Sequence, residues 1–156
     1  MLGKLEGKEI EDLLCNQVIG RIGCAANGLV YVVPVTYAYD GKDIYAVSNE
    51  GLKLEIMRKN PQVCFEVDNM RDMSNWQSVI AWGKFEELTN EVQRKQAFDT
   101  LVSRSRLISS VVTHHSPTWP FVSNDFQAFK GIAFRIRLNE KTGRFENQVA
   151  APQIKG

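Results

Sequence analysis

Hydrophobic and polar positions alternate along much of this chain, a pattern that predicts mostly strands. Apolar residues at helical spacing predict a short helix over 7–15, and runs of β-forming residues predict the strands. The predicted strands cover 18–25, 29–39, 43–48, 62–68, 78–88 and 131–139, and two more helices cover 52–59 and 90–102. Six strands with peripheral helices predict a mainly β (α+β) fold: a six-stranded antiparallel barrel formed by a single domain, residues 1–156. Periodicity alone leaves a sandwich as the alternative.

Turn-forming residues refine these boundaries. Asn27-Gly28 is a strong hairpin signal between the first two strands. Pro34 lies within a strand and donates no ladder hydrogen bond, so it predicts an edge strand or a bulge. Thr89 is the predicted N-cap of the third helix, and Thr142-Gly143 is a predicted turn after the last strand. The segment 103–129 shows the least regular pattern.

Composition narrows the classes of partner. The chain has 156 residues and a net charge of +1, so neither nucleic acid nor an anionic membrane surface is an expected partner. Its three cysteines lie far apart, which argues against a zinc site or a disulfide framework and predicts small buried thiols. No apolar run is long enough to cross a bilayer, and the first residues lack a signal peptide's apolar core. We therefore expect a cytoplasmic protein without a metal.

One junction carries candidate chemistry. Ser48 and Lys53 bracket Gly51 where a predicted strand meets the start of a predicted helix. Helix starts offer unpaired N–H groups and the positive end of the dipole, and a lysine adds a cation. This combination predicts a phosphate site. The alternative is an ordinary solvated lysine in a first helical turn.

The aromatic and histidine residues give weaker signals. Trp82 lies in an apolar strand and is predicted to be a core residue. His114 and His115 are adjacent, so their side chains diverge and form a poor joint metal site. A loop location is the simpler interpretation for both. Their role stays open, as does that of the segment 103–130.

Seven motifs, taken in order and spacing, resemble a known family. They are GRIGC (20–24), YVVPVTY (31–37), GLKLE (51–55), RKNPQVCFEVD (58–68), NWQSV (75–79), GKFEEL (83–88) and, more weakly, NEKTGR (139–144). Together they resemble the pyridoxamine 5′-phosphate oxidase-like, FMN-binding split-barrel family, in particular its nitroimidazole-resistance-related branch. The resemblance covers most of the chain outside 103–130.

The resemblance implies a split-barrel homodimer with flavin at the subunit interface. FMN is the expected cofactor, and FAD is the alternative. By this resemblance the phosphate lies near Ser48 and Lys53, and strand residues lie beside the ring. The implied cofactor-binding residues are Pro34, Val35, Thr36, Tyr37, Ser48, Lys53, Asn75, Trp76, Ser78, Val79 and Trp119. Two interpretations of Trp119 are equally supported: it stacks on the flavin, or it fixes its loop to the barrel.

The resemblance also implies a function. It predicts a flavin-dependent oxidoreductase that reduces nitro compounds or another small electron acceptor, with a reduced nicotinamide, NAD(P)H, as donor. No catalytic residue is assigned, because the flavin carries the redox chemistry. Many members of this branch carry a histidine at the position of Val47, so nitro-group chemistry is implied less directly than flavin binding. The alternatives are a non-catalytic flavin-binding or electron-transfer protein, a true pyridoxamine phosphate oxidase, and a barrel that binds haem or a deazaflavin.

Overall fold

Eight strands and three α-helices form the computed structural model, which describes residues 1–109 and 126–148 and leaves the side chains of 105–109 and 128 undescribed. The strands are β1 (Leu2–Lys4), β2 (Ile19–Ala26), β3 (Leu29–Thr36), β4 (Ala38–Tyr39), β5 (Asp43–Ser48), β6 (Gln62–Asp72), β7 (Asn75–Glu87) and β8 (Ile132–Glu146). The helices are α1 (Gly7–Asn16), α2 (Leu52–Lys59) and α3 (Glu91–Ser109), with a 3-10 turn at Phe126–Ala128. None of the helices in these ranges combines the length and apolar character that crossing a bilayer requires.

The strands pair in the order β3-β2-β6-β7-β8-β5-β4, and β1 adds to β8. Every pairing is antiparallel. The two ends of this order, β3 and β4, are consecutive in the chain and separated only by Tyr37, so the sheet curls back on itself without ladder pairing between its ends. The fold is an antiparallel split barrel, which confirms the predicted class. The strand count is eight rather than six, because the predicted strand 29–39 divides at Tyr37 and β1 was not predicted.

Two apolar clusters stabilise this arrangement. The larger fills the barrel and includes Ile22, Phe65 and Phe134, each 0% exposed. The smaller lies under α3 and joins Phe98 and Leu101 to Tyr45 of β5. Because side chains alternate along a strand, β5 contributes Ile44 to the larger cluster on one face and Tyr45 to the smaller cluster on the other.

Several predicted boundaries are correct, and others change for nonlocal reasons. Asn27 (φ 52°) and Gly28 (φ 79°) form the predicted β2–β3 hairpin. Asn90, not Thr89, caps α3, because its Oδ1 accepts hydrogen bonds from Val92 N and Gln93 N. The helix also runs past the predicted end at residue 102, to Ser109.

The predicted turn at Thr142-Gly143 is wrong. Both residues lie within β8, where Gly143 pairs with Val79. A Cβ at Gly143 would lie 2.7 Å from Leu5 Cβ and 3.0 Å from Ile10 Cγ1. The glycine is therefore explained by close packing of the N-terminal segment against the strand rather than by a turn.

An apolar strip lies on the outer face of the β3-β2-β6-β7 sheet. Val30 is 75% exposed, Val32 65%, Ile80 40% and Trp82 40%. The prediction that Trp82 is a core residue is wrong, because alternation along β7 directs its side chain outward beside Cys64. The cysteine prediction holds for Cys24, which is buried, but not for Cys15, which is exposed.

Candidate functional site

The start of α2 is an open helix terminus. Gly51 is its N-cap residue and supplies no side-chain cap, while Glu55 N donates to Gly51 O (3.1 Å). The preceding N–H groups, those of residues 52–54, therefore have no acceptor within the helix. A Cβ built on Gly51 meets nothing within 4 Å, so the space before the helix is unfilled by the described residues. An uncapped start facing open space is suited to an anion.

Lys53 lies in this first turn and is half-buried. Burial lowers the pKa of its ammonium group, and the nearby Cys24 thiol acts in the opposite sense. No carboxylate within the described part of the chain forms an ion pair with it. A partly desolvated cation without a counter-ion gains electrostatic stabilisation when an anion binds.

The opposite face of α2 explains why Lys53 is held in place. Leu54, Ile56 and Met57 are buried in the barrel cluster, which fixes the helix against β2. Ser48 ends β5 just before the helix, and its hydroxyl donates to Asn49 O (2.8 Å). Ser48 and Lys53 thus share one strand–loop–helix junction. The lysine offers three donors to an anion, whereas the serine hydroxyl donates to one only if it turns away from Asn49 O.

The exposed edge of β3 contributes backbone groups. Among the described strands β3 pairs only with β2, which agrees with the edge position predicted from Pro34. Tyr37 N donates to Val18 O (3.1 Å), so odd-numbered residues here bond toward β2. Backbone groups alternate in direction, so those of Pro34 and Thr36 point toward the open edge. Val35 lies between them with a buried side chain.

A row of charged side chains, which the sequence patterns do not predict as a site, lies on the outer face of the sheet. Arg21, paired with Pro34 in register, forms ion pairs with Glu66 (3.1 Å) and Asp68 (3.3 Å). Ser78 Oγ donates to Glu66 Oε1 (3.2 Å) and joins the same network. A signal for this row was present, since Arg21, Glu66 and Asp68 each interrupt an apolar strand at an outward position.

Residues 75–79 form a separate region. Trp76 Nε1 donates to Glu146 Oε2 (3.1 Å), and Asn75 Oδ1 accepts from Gln148 N (3.1 Å). Both line a groove of about 230 Å³, whose wall is completed by Asn69, Arg71, Gln77, Phe145, Glu146 and Asn147. Trp76 lies six residues along β7 from Trp82, or roughly 20 Å at the rise of a strand. Trp82, by contrast, lies across the sheet from the Lys53 region. It is paired in register with Cys64, and Cys64 is paired with Gly23. Gly23 precedes Cys24, the thiol that lies near Lys53. Within one chain, Trp76 therefore lies far along the sheet from Lys53, whereas Ser78 lies closer to β3 through the network of Glu66 and Arg21.

Two of the predicted cofactor-binding residues, Tyr37 and Val79, have side chains buried in the core. Tyr37 is 1% exposed, its hydroxyl donates to Leu14 O (2.7 Å), and its ring meets Phe65 edge-on at 4.8 Å. Burial raises the pKa of its phenol. Val79 is 0% exposed because it faces inward on β7. Both side chains are therefore part of the barrel core. Trp119, His114 and His115 lie outside the described residues.

An antiparallel split barrel with an anion-suited helix start and an exposed edge strand is the class that fold and site define. The sequence model of the pyridoxamine 5′-phosphate oxidase family matches residues 6–144, and the chain belongs to that family. A FAD-binding protein from Mesorhizobium loti has a similar structure, with 30% sequence identity, a TM-score of 0.73, and coverage of 94% of this chain and 99% of the other.

Two further relatives extend the comparison. A 5-nitroimidazole antibiotic resistance protein from Bacteroides thetaiotaomicron shares the fold at 20% identity, with a TM-score of 0.68 and coverage of 93% of this chain and 87% of the other. An uncharacterised protein of Rhizobium meliloti (strain 1021) is 31% identical over 81 residues, or 52% of this chain. That match spans about half the length of the relative (54%).

Proposed function

We propose that this protein binds a flavin nucleotide through its phosphate at the start of α2 and uses it as an oxidoreductase. The observation that carries the proposal is Lys53, a half-buried cation with no carboxylate partner among the described residues, at a helix start that no side chain caps. Family membership and the FAD-binding relative from Mesorhizobium loti support a flavin as the anion's source.

The remaining contacts follow from the geometry. The backbone of Pro34 and Thr36, directed to the open edge of β3, is suited to the polar edge of the flavin ring. The N–H groups at the start of α2 would join Lys53 at the phosphate, and Ser48 would join them by turning its hydroxyl from Asn49 O to the ligand. When bound, the flavin supplies the electron-transfer chemistry, and the protein binds and orients it.

We further propose that the functional unit is a homodimer. The outer strip of Val30, Val32, Ile80 and Trp82 is more apolar than a solvent-facing strand surface needs to be, and a second copy is its proposed partner. Residues 75 and 76 lie far from Lys53 within one chain. We therefore propose that residues 75–79 of one copy contact the flavin bound at Lys53 of the other copy. Asn75, Trp76 and Ser78 are the side chains that this arrangement would bring near it.

The proposed reaction transfers electrons from a reduced nicotinamide to a small acceptor, with nitro compounds as the leading class. A second candidate is flavin binding without turnover. The outer-face network favours it, because Arg21, Glu66 and Ser78 are engaged with one another rather than free to act on a substrate. Oxidation of NAD(P)H by the flavin-loaded protein, with and without a nitro compound, separates the two.

The first experiment is a visible absorption spectrum of the purified protein before and after addition of FMN or FAD, with the released cofactor identified by mass. We expect flavin bands at one flavin per chain and a mass in solution of twice 17.7 kDa. If neither flavin is present and neither binds, the proposal is wrong. A monomer that binds flavin fully would contradict only the homodimer.

A further inference from the structure

Arg58 joins the loop before α2 to the end of β7. Its Nη1 donates to Glu50 Oε2 (2.8 Å) and its Nη2 to Glu50 Oε1 (2.9 Å). Its Nε donates to Glu87 Oε2 (2.8 Å) and its Nη2 also to Glu87 Oε1 (3.0 Å). The planar guanidinium is thus engaged with two carboxylates, an arrangement that fixes both geometrically.

The ion pair between Arg58 and Glu50 bears on phosphate binding because of where Glu50 lies. This residue lies in the loop between Ser48 and Lys53, so its backbone adjoins the proposed phosphate site. A carboxylate without a partner there would repel a phosphate dianion. Arg58 lowers the pKa of the Glu50 carboxyl by hydrogen bonding, so the group stays ionised and paired.

The direction of the contact separates the carboxylate from the helix start. Arg58 lies in the last turn of α2, about 10 Å along the axis from Gly51 at the rise of a helix. The ion pair therefore draws the Glu50 carboxylate toward the C-terminal half of α2 and away from the uncapped N–H groups. Glu87 holds the guanidinium from the other side.

We propose that Arg58 is a positioning residue for the phosphate site: it neutralises Glu50, directs it away from the bound phosphate and fixes the loop that carries it. This inference rests on the proposed function, since it assumes that a flavin phosphate binds at the start of α2. It assigns Arg58 no contact with the flavin.

The test compares FMN with riboflavin, which has the same ring but no phosphate. Each is titrated into Arg58→Met, Glu50→Gln and the double variant, followed by flavin fluorescence. We expect Arg58→Met to weaken FMN binding about three- to tenfold, the scale of one unit charge near a dianion at an exposed site, and to leave riboflavin unchanged. The double variant should recover most of the loss, because the neutral amide does not repel phosphate. Raising the salt concentration should shrink the difference.

Lys95→Met is a matched control, because Lys95 is also an exposed helical cation paired with a carboxylate, Asp99, but on α3. It should leave both affinities unchanged. Equal weakening of FMN and riboflavin by Arg58→Met, or no recovery in the double variant, would overturn the proposal in favour of a purely structural ion pair.

Two further variants keep the test decisive. If Arg58→Met does not fold, Arg58→Lys keeps a cation but loses the fork that holds both carboxylates, so it should also weaken FMN more than riboflavin; equal effects overturn the proposal. Lys53→Met tests the site itself. If Lys53→Met leaves the preference for FMN over riboflavin intact, the phosphate site is wrong. If it abolishes the preference while the Arg58 and Glu50 variants do not change it, only the role of Arg58 is wrong.

Discussion

The helices α2 and α3 begin in opposite ways. Asn90 caps α3 through two backbone N–H groups, and Glu91 places an acid in its first turn. Gly51 leaves α2 without a side-chain cap, and the first turn of α2 holds a cation, Lys53, as well as an acid, Glu55. Local rules thus favour the start of α3 and disfavour that of α2. Such violations concentrate at functional sites, so the difference itself points to a ligand at α2.

The largest expected effect comes from removing the cation at the start of α2. Lys53→Met should weaken FMN binding by about 1.5–3 kcal/mol, roughly ten- to 150-fold, which is the range for hydrogen bonds to charged groups. Riboflavin should bind nearly as before. Titration followed by flavin absorbance measures both. Lys59→Met, at the exposed last turn of the same helix, is the control. Unchanged FMN affinity in the folded variant would remove the phosphate assignment.

A smaller effect should follow from making α2 begin as α3 does. The backbone at Gly51 is extended (φ 172°), and a Cβ there meets no neighbour within 4 Å, so a side chain fits. Gly51→Asp should weaken FMN binding about three- to tenfold by repulsion and stabilise the helix by a few tenths of a kcal/mol. Gly51→Asn supplies the cap without the charge, so it should weaken FMN less. Equal FMN affinity in both variants and the parent protein would show that the anion binds elsewhere.

Removing the cap of α3, so that it begins as α2 does, should change the stability of the fold but not flavin binding. Asn90→Ala removes the cap of α3 and should lower the free energy of unfolding by about 1 kcal/mol. Urea denaturation measures it, and the affinities for FMN and riboflavin are the control. A loss of flavin affinity that exceeds the loss of stability would mean that the start of α3 also serves the ligand, and the contrast between the helices would fail.

Local rules were sufficient to predict part of the fold. The bounds of α2, the strand over 43–48 and the Asn27-Gly28 hairpin were predicted because short-range signals determine them. The other outcomes depend on partners distant in sequence. A glycine is needed at position 143 because Leu5 packs closely against it. The outward direction of the Trp82 side chain is fixed by the register of β7 with β6. Neither relation can be derived from a turn signal or an apolar count.

The residues of the candidate site also differ in whether short-range signals or distant partners determine them. Ser48 and Lys53 were predicted together because they are five positions apart around one helix start. Tyr37 and Val79 are assigned to the flavin site only by resemblance, and no short motif shows that their side chains are buried in the core. Arg58 was missed because its partner Glu87 is 29 residues away, and nothing in a single sequence couples the two positions.

The smallest expected effect concerns pH, and it depends on Lys53 being desolvated. Burial lowers its pKa in the flavin-free folded protein, whereas unfolding returns the group to its ordinary value of 10.5. Between the lowered pKa and 10.5 the unfolded chain binds more protons than the folded one. The Lys53 contribution to the free energy of unfolding should therefore rise with pH through that window.

Urea denaturation of the parent protein and of Lys53→Met across this window isolates that contribution, because every other titrating group is common to both proteins. We expect the free energy of unfolding of the parent protein to rise relative to that of Lys53→Met as the pH rises. Saturating FMN should reduce the shift, since a bound phosphate supplies the missing counter-ion and raises the pKa of Lys53 again. A difference that stays flat in the absence of FMN would mean that Lys53 is solvated, and only the missing cap at Gly51 would then distinguish the start of α2 from that of α3.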